Sequence, residues 1–268
     1  MTVKEIVKKI LDSKKYCGID RVIIERICEE TMSKYRKPGD AIKAVKKELH
    51  IIHGSFLTGK SHSKAMAMIA SYTGKEIKTD KIFAAQLMAL HSSTRERLEQ
   101  ADRIYPYLCG FMNADDTIID IGCGFNPFAL PFFTVQPGNY FAFDISHSTV
   151  ILLGKYFAIS NTPYQAEVYD AVMQTAHVQG DVILMLKLFP VLERQKTGSG
   201  FSVLNSLNFR NAVVSFPLKS ASGKNKGMEA FYSSWFEAEL PEKYVIVDKT
   251  SFKNEMFYIL GILSPKLI

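Results

Sequence analysis

Apolar residues in the first 105 positions recur at helical spacing. Val3, Ile6, Val7 and Ile10 form one face of a helix, and lysines occupy the opposite face. Further helices are predicted after an N-cap at Asp20, from Pro38 to near Gly54, over residues 61–73 and 79–91, and from a cap at Ser92–Thr94 to about Cys109. The first 105 residues are therefore predicted to be almost wholly helical.

After Asn113 the pattern changes to short apolar runs separated by helical stretches. Strands are predicted over residues 117–121, 140–144, 181–186 and 212–216, with helices near 147–159 and 191–208. This alternation predicts an open, doubly wound α/β sheet. Two closing strands, at 244–247 and 256–260, predict a final hairpin of the kind common in class I (Rossmann-like) methyltransferases.

The charge divides the chain into two unlike parts. The 268 residues carry 33 Lys and Arg against 27 Asp and Glu, a net charge of +6. Residues 1–105 contain 21 basic and 13 acidic side chains, whereas residues 106–268 contain 12 and 14. We therefore predict a basic helical module over 1–105 that docks on a polyanion such as nucleic acid, and a near-neutral body over 106–268. Solvated lysine faces without a partner are the alternative explanation.

Composition excludes several classes of protein. A chain that is 47% hydrophobic and 22% charged is typical of a folded domain rather than a disordered tail. No run reaches the length of about 18 apolar residues that a membrane helix needs. The N-terminal stretch lacks the apolar region of a signal peptide. Four cysteines without paired spacing predict reduced thiols and a cytoplasmic location.

A glycine-containing turn follows the first predicted strand, in the sequence Asp120-Ile-Gly122-Cys-Gly124-Phe-Asn-Pro127. Glycines at such a turn let the backbone approach a ligand closely. Pro127 stands where a dinucleotide fingerprint needs a third glycine, so S-adenosylmethionine is favoured. Asp144, 20 residues beyond Gly124, can accept hydrogen bonds from both ribose hydroxyls. Asp120 can orient the turn or face the ammonium group of the ligand.

Three other candidates have competing interpretations. Asp170 either accepts from the adenine amino group or caps its own loop. His50 and His53 share a helix face, where packing or RNA contact is favoured over a metal site because no further ligands are suitably spaced. Cys123 lies in the turn, but no general base is near it in sequence, which disfavours a nucleophilic thiol. No metal is predicted.

Five ordered motifs resemble those of one enzyme family. His91–Leu98 matches the motif HxSTxERL, and residues 120–130 match the loop D-x-x-C-G-x-N-P-x-A-L. Leu186–Arg194 contains K-L-x-P-x-L-E-R, Ser215–Glu229 matches S-F-P-x-[KR]-S-x-x-G-x-x-K-G-M-E, and Trp235–Glu237 follows. Over nearly its whole length the chain resembles the aminoglycoside-resistance 16S rRNA (guanine-1405-N7)-methyltransferases.

The resemblance implies a class I (Rossmann-like) methyltransferase sheet with an N-terminal helical extension that helps dock on the assembled small ribosomal subunit. It implies that Arg97 pairs with the carboxylate of S-adenosylmethionine and that Gly122 lines its methionine portion. It also implies that Asp144 holds the ribose and that Asp170 faces the adenine. The full predicted cofactor-binding set is Arg97, Asp120, Gly122, Cys123, Gly124, Asn126, Pro127, Asp144, Asp170 and Leu186.

A second set of residues is predicted to contact RNA, namely Lys46, Lys47, His50, Lys219, Lys224, Lys226, Met228 and Glu229. Phe231 and Trp235 either stack the target base or belong to the core, and the core is favoured for Trp235. Lys187 follows the strand predicted over residues 181–186, near the expected entry of the methyl acceptor, and it can instead pair with a carboxylate.

Guanine N7 carries a lone pair and no proton, so its methylation needs no general base, and positioning is expected to supply the catalysis. The predicted function is methyl transfer from S-adenosylmethionine to guanine 1405 of 16S rRNA in the small ribosomal subunit, giving aminoglycoside resistance. We expect a cytoplasmic monomer. Two alternatives stay open. One is a methyltransferase for another rRNA position or a small molecule, and the other is a non-catalytic RNA-binding or assembly factor on the same fold.

Overall fold

The structure is a computed structural model that describes residues 2–13, 15–35, 37–54, 56, 60–74, 76–174, 178–219 and 227–263. Two of the predicted RNA-contacting residues, Lys224 and Lys226, lie outside the described residues. None of the helices in the described ranges is long and apolar enough to cross a membrane.

Seven strands form a mixed sheet. They are β1 (Thr117–Ile121), β2 (Asn139–Asp144), β3 (Gln165–Val168), β4 (Val182–Leu186), β5 (Asn211–Pro217), β6 (Tyr244–Phe252) and β7 (Glu255–Ile262). Their order is β3-β2-β1-β4-β5-β7-β6. Strands β1 to β5 run parallel, whereas β7 is antiparallel to both β5 and β6. The predicted doubly wound sheet and its closing hairpin are therefore confirmed.

Helices precede the sheet and cover both of its faces. They are α1 (Val3–Leu11), α2 (Arg21–Met32), α3 (Pro38–Leu49), α4 (Ser61–Ala70), α5 (Lys81–Met88), α6 (Ser92–Arg97), α7 (Ala101–Cys109), α8 (His147–Ser160), α9 (Phe189–Gln195), α10 (Ser199–Asn205) and α11 (Met228–Glu239). The carboxylate of Asp20 accepts from the backbone N–H of Val22 at 2.8 Å, so the predicted N-cap of α2 is confirmed.

Successive residues of each strand point to opposite faces, so the sheet separates two apolar cores. Ile118 faces a core that includes buried residues of α4, α5, α7 and α8. Ile119 faces the other core, which includes Phe189 of α9, Leu204 of α10 and Phe236 of α11. This burial on both faces explains why β1, β2, β4 and β5 are largely apolar, whereas the less buried edge strand β3 is not.

Helices α1 to α3 enclose a third apolar cluster, which extends from Ile6 to Ile52. An isolated β-bridge between Ile19 and Ser146 joins this cluster to the body. Nearby, His147 Nε2 lies 2.7 Å from Asp20 Oδ2. Helices α4, α5 and α7 pack instead against the sheet. The separate cluster thus covers only the first half of the predicted module, and the division at residue 105 stays a prediction.

The helix limits predicted for residues 92–109 and for residues 191–208 are wrong. Helix α6 begins at Ser92 with His91 as its N-cap residue, and the hydroxyl of Thr94 donates to the carbonyl of Met88 rather than capping a later helix. A 3₁₀ turn, Leu98–Gln100, then separates α6 from α7.

The stretch 191–208 contains two helices, because Gly198 adopts a φ of 81° between them. The glycine-containing turn leads into a 3₁₀ helix, Asn126–Phe132, in which Pro131 lacks the N–H group that an α-helix would use.

Candidate functional site

A cavity lies at the carboxyl ends of β1, β2 and β4, where open α/β sheets bind their ligands. It brings together Gly122, Gly124, Asp144, Asp170 and Leu186 from the predicted cofactor-binding set. Lys187 and a wall from the N-terminal part of the chain, which includes Ile52, His53 and Phe56, also line it. The other predicted cofactor-binding residues are buried nearby and do not line the cavity. They are Arg97, Asp120, Cys123, Asn126 and Pro127.

The turn after β1 requires both of its glycines. Gly122 and Gly124 have φ values of 64° and 50°, in the left-handed region that side chains disfavour. A Cβ atom on Gly122 would lie 2.7 Å from Leu188, and one on Gly124 would lie 2.9 Å from Nε2 of His91. The turn therefore passes close to both walls of the cavity, with backbone rather than side chains at its surface.

Asp144, the last residue of β2, is fixed by the backbone beside the turn. Its Oδ2 accepts from the N–H of Gly124 at 3.0 Å, and its Oδ1 accepts from the N–H of Ser146 at 2.9 Å. Burial raises the pKa of Asp144 to about 6, although these two N–H groups act in the opposite direction. Each oxygen keeps lone pairs, so the carboxylate can still accept from a diol in the cavity.

Asp120, near the end of β1, is buried beneath the turn. Its Oδ2 accepts from the hydroxyl of Tyr140 at 2.6 Å and from the amide of Asn126 at 2.9 Å. Its Oδ1 is buried and has no hydrogen-bond partner among the described residues. Burial raises the pKa of Asp120 to about 6 despite these two donors. One acceptor oxygen is therefore free for a cationic donor.

Asp170 follows β3 and lines the cavity, and its contact with the adenine amino group stays a prediction. Its Oδ1 accepts from the N–H of Val172 at 3.0 Å, which is a loop-capping contact. The same carboxylate forms an ion pair with Arg26 of α2 at 2.8 Å. This partner lies 144 residues away in sequence.

Arg97 belongs to a buried charged network beneath the cavity. Its Nε and Nη2 each donate to the carboxylate of Glu255 at 2.8 Å, and its Nη1 donates to Asn126 at 3.2 Å. Burial alone would raise the pKa of Glu255, but the charges of Arg97 and Lys187 outweigh it and lower that pKa. Pairing of Arg97 with a cofactor carboxylate stays a prediction.

Lys187 connects this network to the cavity. Its Nζ lies 2.6 Å from Oε2 of Glu96 and 3.4 Å from Oε2 of Glu255. Lys187 therefore pairs with carboxylates and also lines the cavity. Its φ of 58° is unusual for a residue with a side chain. The N–H of Lys187 donates to the hydroxyl of Ser215 at 2.9 Å. Such local strain is concentrated at functional sites.

Three histidines surround the glycine turn. The ring of His91 packs between Phe56 and Phe125, and the ring of His53 stacks on His62 with 6.4 Å between centroids. Burial lowers the pKa of His91 to about 3 and the pKa values of His53 and His62 to about 4. All three imidazoles are therefore neutral near pH 7, and this wall of the cavity carries no histidine charge.

Among the described residues, the predicted RNA-contacting side chains lie on three segments, at the end of α3, after β5 and at the start of α11. Lys47 and His50 are exposed near the end of α3, where Lys46 is half-buried. Lys219 is exposed after β5, and Glu229 is exposed in the first turn of α11, beside the half-buried Met228. Phe231 is also exposed, whereas Trp235 packs against Phe189 and Phe201, so the core interpretation of Trp235 is confirmed.

Sequence reasoning missed Glu255, Tyr140 and Arg26. Glu255 begins an otherwise apolar strand, and an isolated acid in that position was the available signal. Tyr140 is one of many aromatic residues in the sheet, and nothing local distinguishes it. Arg26 lies three residues after the buried Ile23, so it interrupts an apolar helix face.

Cys123 is buried in the turn, and this burial raises the pKa of its thiol. A raised pKa disfavours the thiolate that a nucleophilic cysteine needs, in line with the sequence-based expectation.

We expect binding of S-adenosylhomocysteine to weaken as the pH falls from 7.5 to 5. The pKa of Asp144 is about 6 in the protein, and a ribose diol needs the ionised carboxylate as its acceptor. Protonation then competes with binding, so the Kd rises by about tenfold at one pH unit below this pKa. Calorimetry at several pH values measures the effect. A Kd that is constant over this range would contradict it. Asp144→Asn should bind more weakly and show a smaller pH dependence, because Asp120, whose pKa is also about 6, still titrates in that variant.

The parallel sheet with its antiparallel hairpin, the glycine turn after β1 and the acid at the end of β2 define a class I methyltransferase that uses S-adenosylmethionine. The chain belongs to the family described as ribosomal RNA methyltransferase (FmrO), whose model matches residues 12–259. A 16S rRNA (guanine(1405)-N(7))-methyltransferase of Serratia marcescens is 30% identical over 97% of this chain and 98% of its own length. The enzyme of the same name from Proteus mirabilis is 30% identical and covers 97% of both chains.

Solved structures agree with this assignment. The 16S rRNA methyltransferase RmtF, crystallised with S-adenosyl-L-homocysteine, has a TM-score of 0.88 and 32% identity, over 97% of this chain and 98% of its own. The 16S rRNA methylase RmtB has a TM-score of 0.82 and 27% identity, over 98% and 99% of the two chains.

Proposed function

We propose that the protein methylates N7 of guanine 1405 in 16S rRNA within the small ribosomal subunit, and that it thereby confers aminoglycoside resistance. The observation that carries the proposal is the meeting of the glycine turn, Asp144 and Lys187 in one cavity of a chain from this family. The full-length similarity to relatives named for this reaction supports the choice of nucleotide.

The residues around the cavity fit S-adenosylmethionine. Asp144 offers two fixed carboxylate oxygens for the ribose diol, and the turn at Gly122 offers backbone to the methionine portion. The unpartnered Oδ1 of Asp120 suits an ammonium donor, and Asp170 suits the adenine amino group. Arg97 is the proposed partner of the carboxylate end.

Positioning accounts for the chemistry that this chain supplies. When bound, S-adenosylmethionine provides an activated methyl group. The acceptor N7 has no proton to lose, so the protein needs to align the base rather than deprotonate it. Lys187, held by Glu96 and Glu255, fixes the wall at the proposed acceptor entrance. His53 and His91, which line the cavity, are neutral and add no positive charge against a guanine that gains charge during the transfer.

The N-terminal helices are the proposed docking surface for the subunit. Their exposed lysines include Lys4, Lys8, Lys9, Lys15, Lys34, Lys37, Lys43 and Lys47. Phosphate contacts by such side chains offset the cost, about a few kcal/mol, of exposing a stacked base. Among the other predicted contacts, Lys219 lies at the same edge of the sheet as the cavity. Action as a cytoplasmic monomer is part of this proposal.

The test is a methylation assay with the purified protein. We expect 7-methylguanosine at position 1405 of assembled small subunits, detected by nucleoside mass spectrometry and by cleavage mapping of the 16S rRNA. Subunits that carry adenine at this position should stay unmodified. Expression in a sensitive bacterium should raise resistance to gentamicin-type drugs.

Modification of a different nucleotide would support the alternative of another rRNA position. Binding to subunits without methyl transfer would support the non-catalytic alternative. Deproteinised 16S rRNA serves as a further substrate. If it is methylated as fast as the assembled small subunit, the proposed requirement for an assembled subunit is overturned.

A further inference from the structure

A largely covered arginine of the N-terminal helices reaches the wall of the cofactor cavity. Arg26 of α2 has only 10% of its side chain exposed. Its Nε donates to Oδ2 of Asp170 at 2.8 Å, and its Nη2 contacts Oδ1 of the same carboxylate at 3.3 Å. This fork-like pairing constrains the orientation of the carboxylate.

The same guanidinium also binds a second residue of the cavity wall. Nη2 of Arg26 donates to Oε1 of Gln195 at 3.0 Å, and Gln195 is the last residue of α9. Asp170 and Gln195 both line the cavity, from segments that follow different strands. Arg26 therefore ties two parts of the wall together from outside the cavity, since it does not line the cavity itself.

The ion pair between Arg26 and Asp170 is less exposed than the Arg21–Glu25 ion pair on the same helix. Arg21 pairs with Glu25 at 2.8 Å, but 60% of its side chain is exposed, and such pairs have little energetic effect. The carboxylate of Asp170 is itself only 10% exposed. Without Arg26, the contact of this carboxylate that remains among the described residues is the N–H of Val172, which leaves its orientation less constrained.

We propose that Arg26 is a positioning residue for recognition of the adenine base. It holds the carboxylate of Asp170 so that an oxygen accepts from the exocyclic amino group, and it holds Gln195 beside that base. The inference rests on the proposed adenine role of Asp170. This role gives α2 a function in cofactor selection. It is additional to the proposed docking of the N-terminal helices on the subunit.

Calorimetry with two ligands tests this inference. The ligands are S-adenosylhomocysteine and S-inosylhomocysteine, in which an oxygen replaces the exocyclic amino group. The wild-type protein should prefer the adenosyl ligand. Arg26→Gln should weaken adenosyl binding by about tenfold, the effect of one charge-assisted hydrogen bond, and should leave inosyl binding nearly unchanged. Arg26→Lys should restore only part of the preference, because lysine keeps the charge without the fork.

Arg21→Gln is the matched control and should bind both ligands as the wild-type protein does. An equal loss of both ligands in Arg26→Gln, or no loss, would overturn the inference while leaving the proposed function intact. If Arg26→Gln does not fold, Arg26→Lys decides, and an unchanged preference in that variant would count against the inference. A wild-type protein that binds neither ligand would contradict the proposed function itself.

Discussion

Asp144→Ala is expected to weaken the binding of S-adenosylhomocysteine by at least about 100-fold, because two hydrogen bonds to a charged acceptor are lost. The carboxylate has a structural role as well, since it accepts from the N–H groups of Gly124 and Ser146. Its removal therefore also releases the turn from the end of β2. Calorimetry measures the affinity, and methyl transfer should fall in parallel.

Two further variants separate binding from folding. Asp144→Asn keeps the size of the side chain, but its amide nitrogen would face a backbone N–H donor, so we expect a loss of similar size. Asp115→Ala removes an exposed acid from the same body, and its affinity should equal that of the wild-type protein. Near-normal affinity in both Asp144 variants, with thermal unfolding unchanged, would remove Asp144 from the site.

The parts of the fold that were predicted correctly depend on short stretches of chain. Strands buried on both faces are apolar runs whatever they pack against, so β1, β2, β4 and β5 were evident. The turn at Gly122 and Gly124 was evident for a similar reason, because its left-handed backbone demands glycine. These features also locate the cavity, since parallel strands place their carboxyl ends along one edge.

The parts that were missed depend on contacts between distant residues. Glu255 binds an arginine 158 positions earlier in the chain, and Arg26 binds an acid 144 positions later. A motif can suggest that Arg97 and Asp170 matter, but it does not reveal which protein groups share them. Arg97 and Asp170 lie in or near the cavity, as the motifs predict. What the structure adds is that each of them is already paired with a side chain of the protein.

The helix boundaries were missed for a different reason. A cap was predicted at Ser92–Thr94 because serine and threonine favour that position, yet the hydroxyl of Thr94 bonds to the carbonyl of Met88 at 2.6 Å. The side chain thus closes the preceding turn, and α6 begins earlier. A local hydrogen bond to the preceding turn therefore replaces the N-cap that the serine and threonine residues predict.

Glu255→Gln is expected to lower the free energy of unfolding by about 3–5 kcal/mol, because it leaves buried cations without their counter-charge. Glu255 is 1% exposed and accepts two hydrogen bonds from Arg97 and one from Ser215 at 2.5 Å. It also forms an ion pair with Lys187 at 3.4 Å. Glutamine keeps the shape but loses the charge, and its amide group presents donors to donors. Urea denaturation followed by circular dichroism measures the change.

Glu99→Gln is the matched control, because Glu99 is 68% exposed and pairs with Lys253 on the surface. Its loss should cost less than about 1 kcal/mol. Arg97→Met combined with Glu255→Gln should be less destabilising than the sum of the two single changes, since the double variant removes one of the stranded cations. A Glu255→Gln protein as stable as Glu99→Gln would show that solvent or Glu96 compensates for the lost charge, contrary to this prediction.

Because Lys187 lines the cavity, its displacement in Glu255→Gln should also reduce methyl transfer in conditions where the protein stays folded.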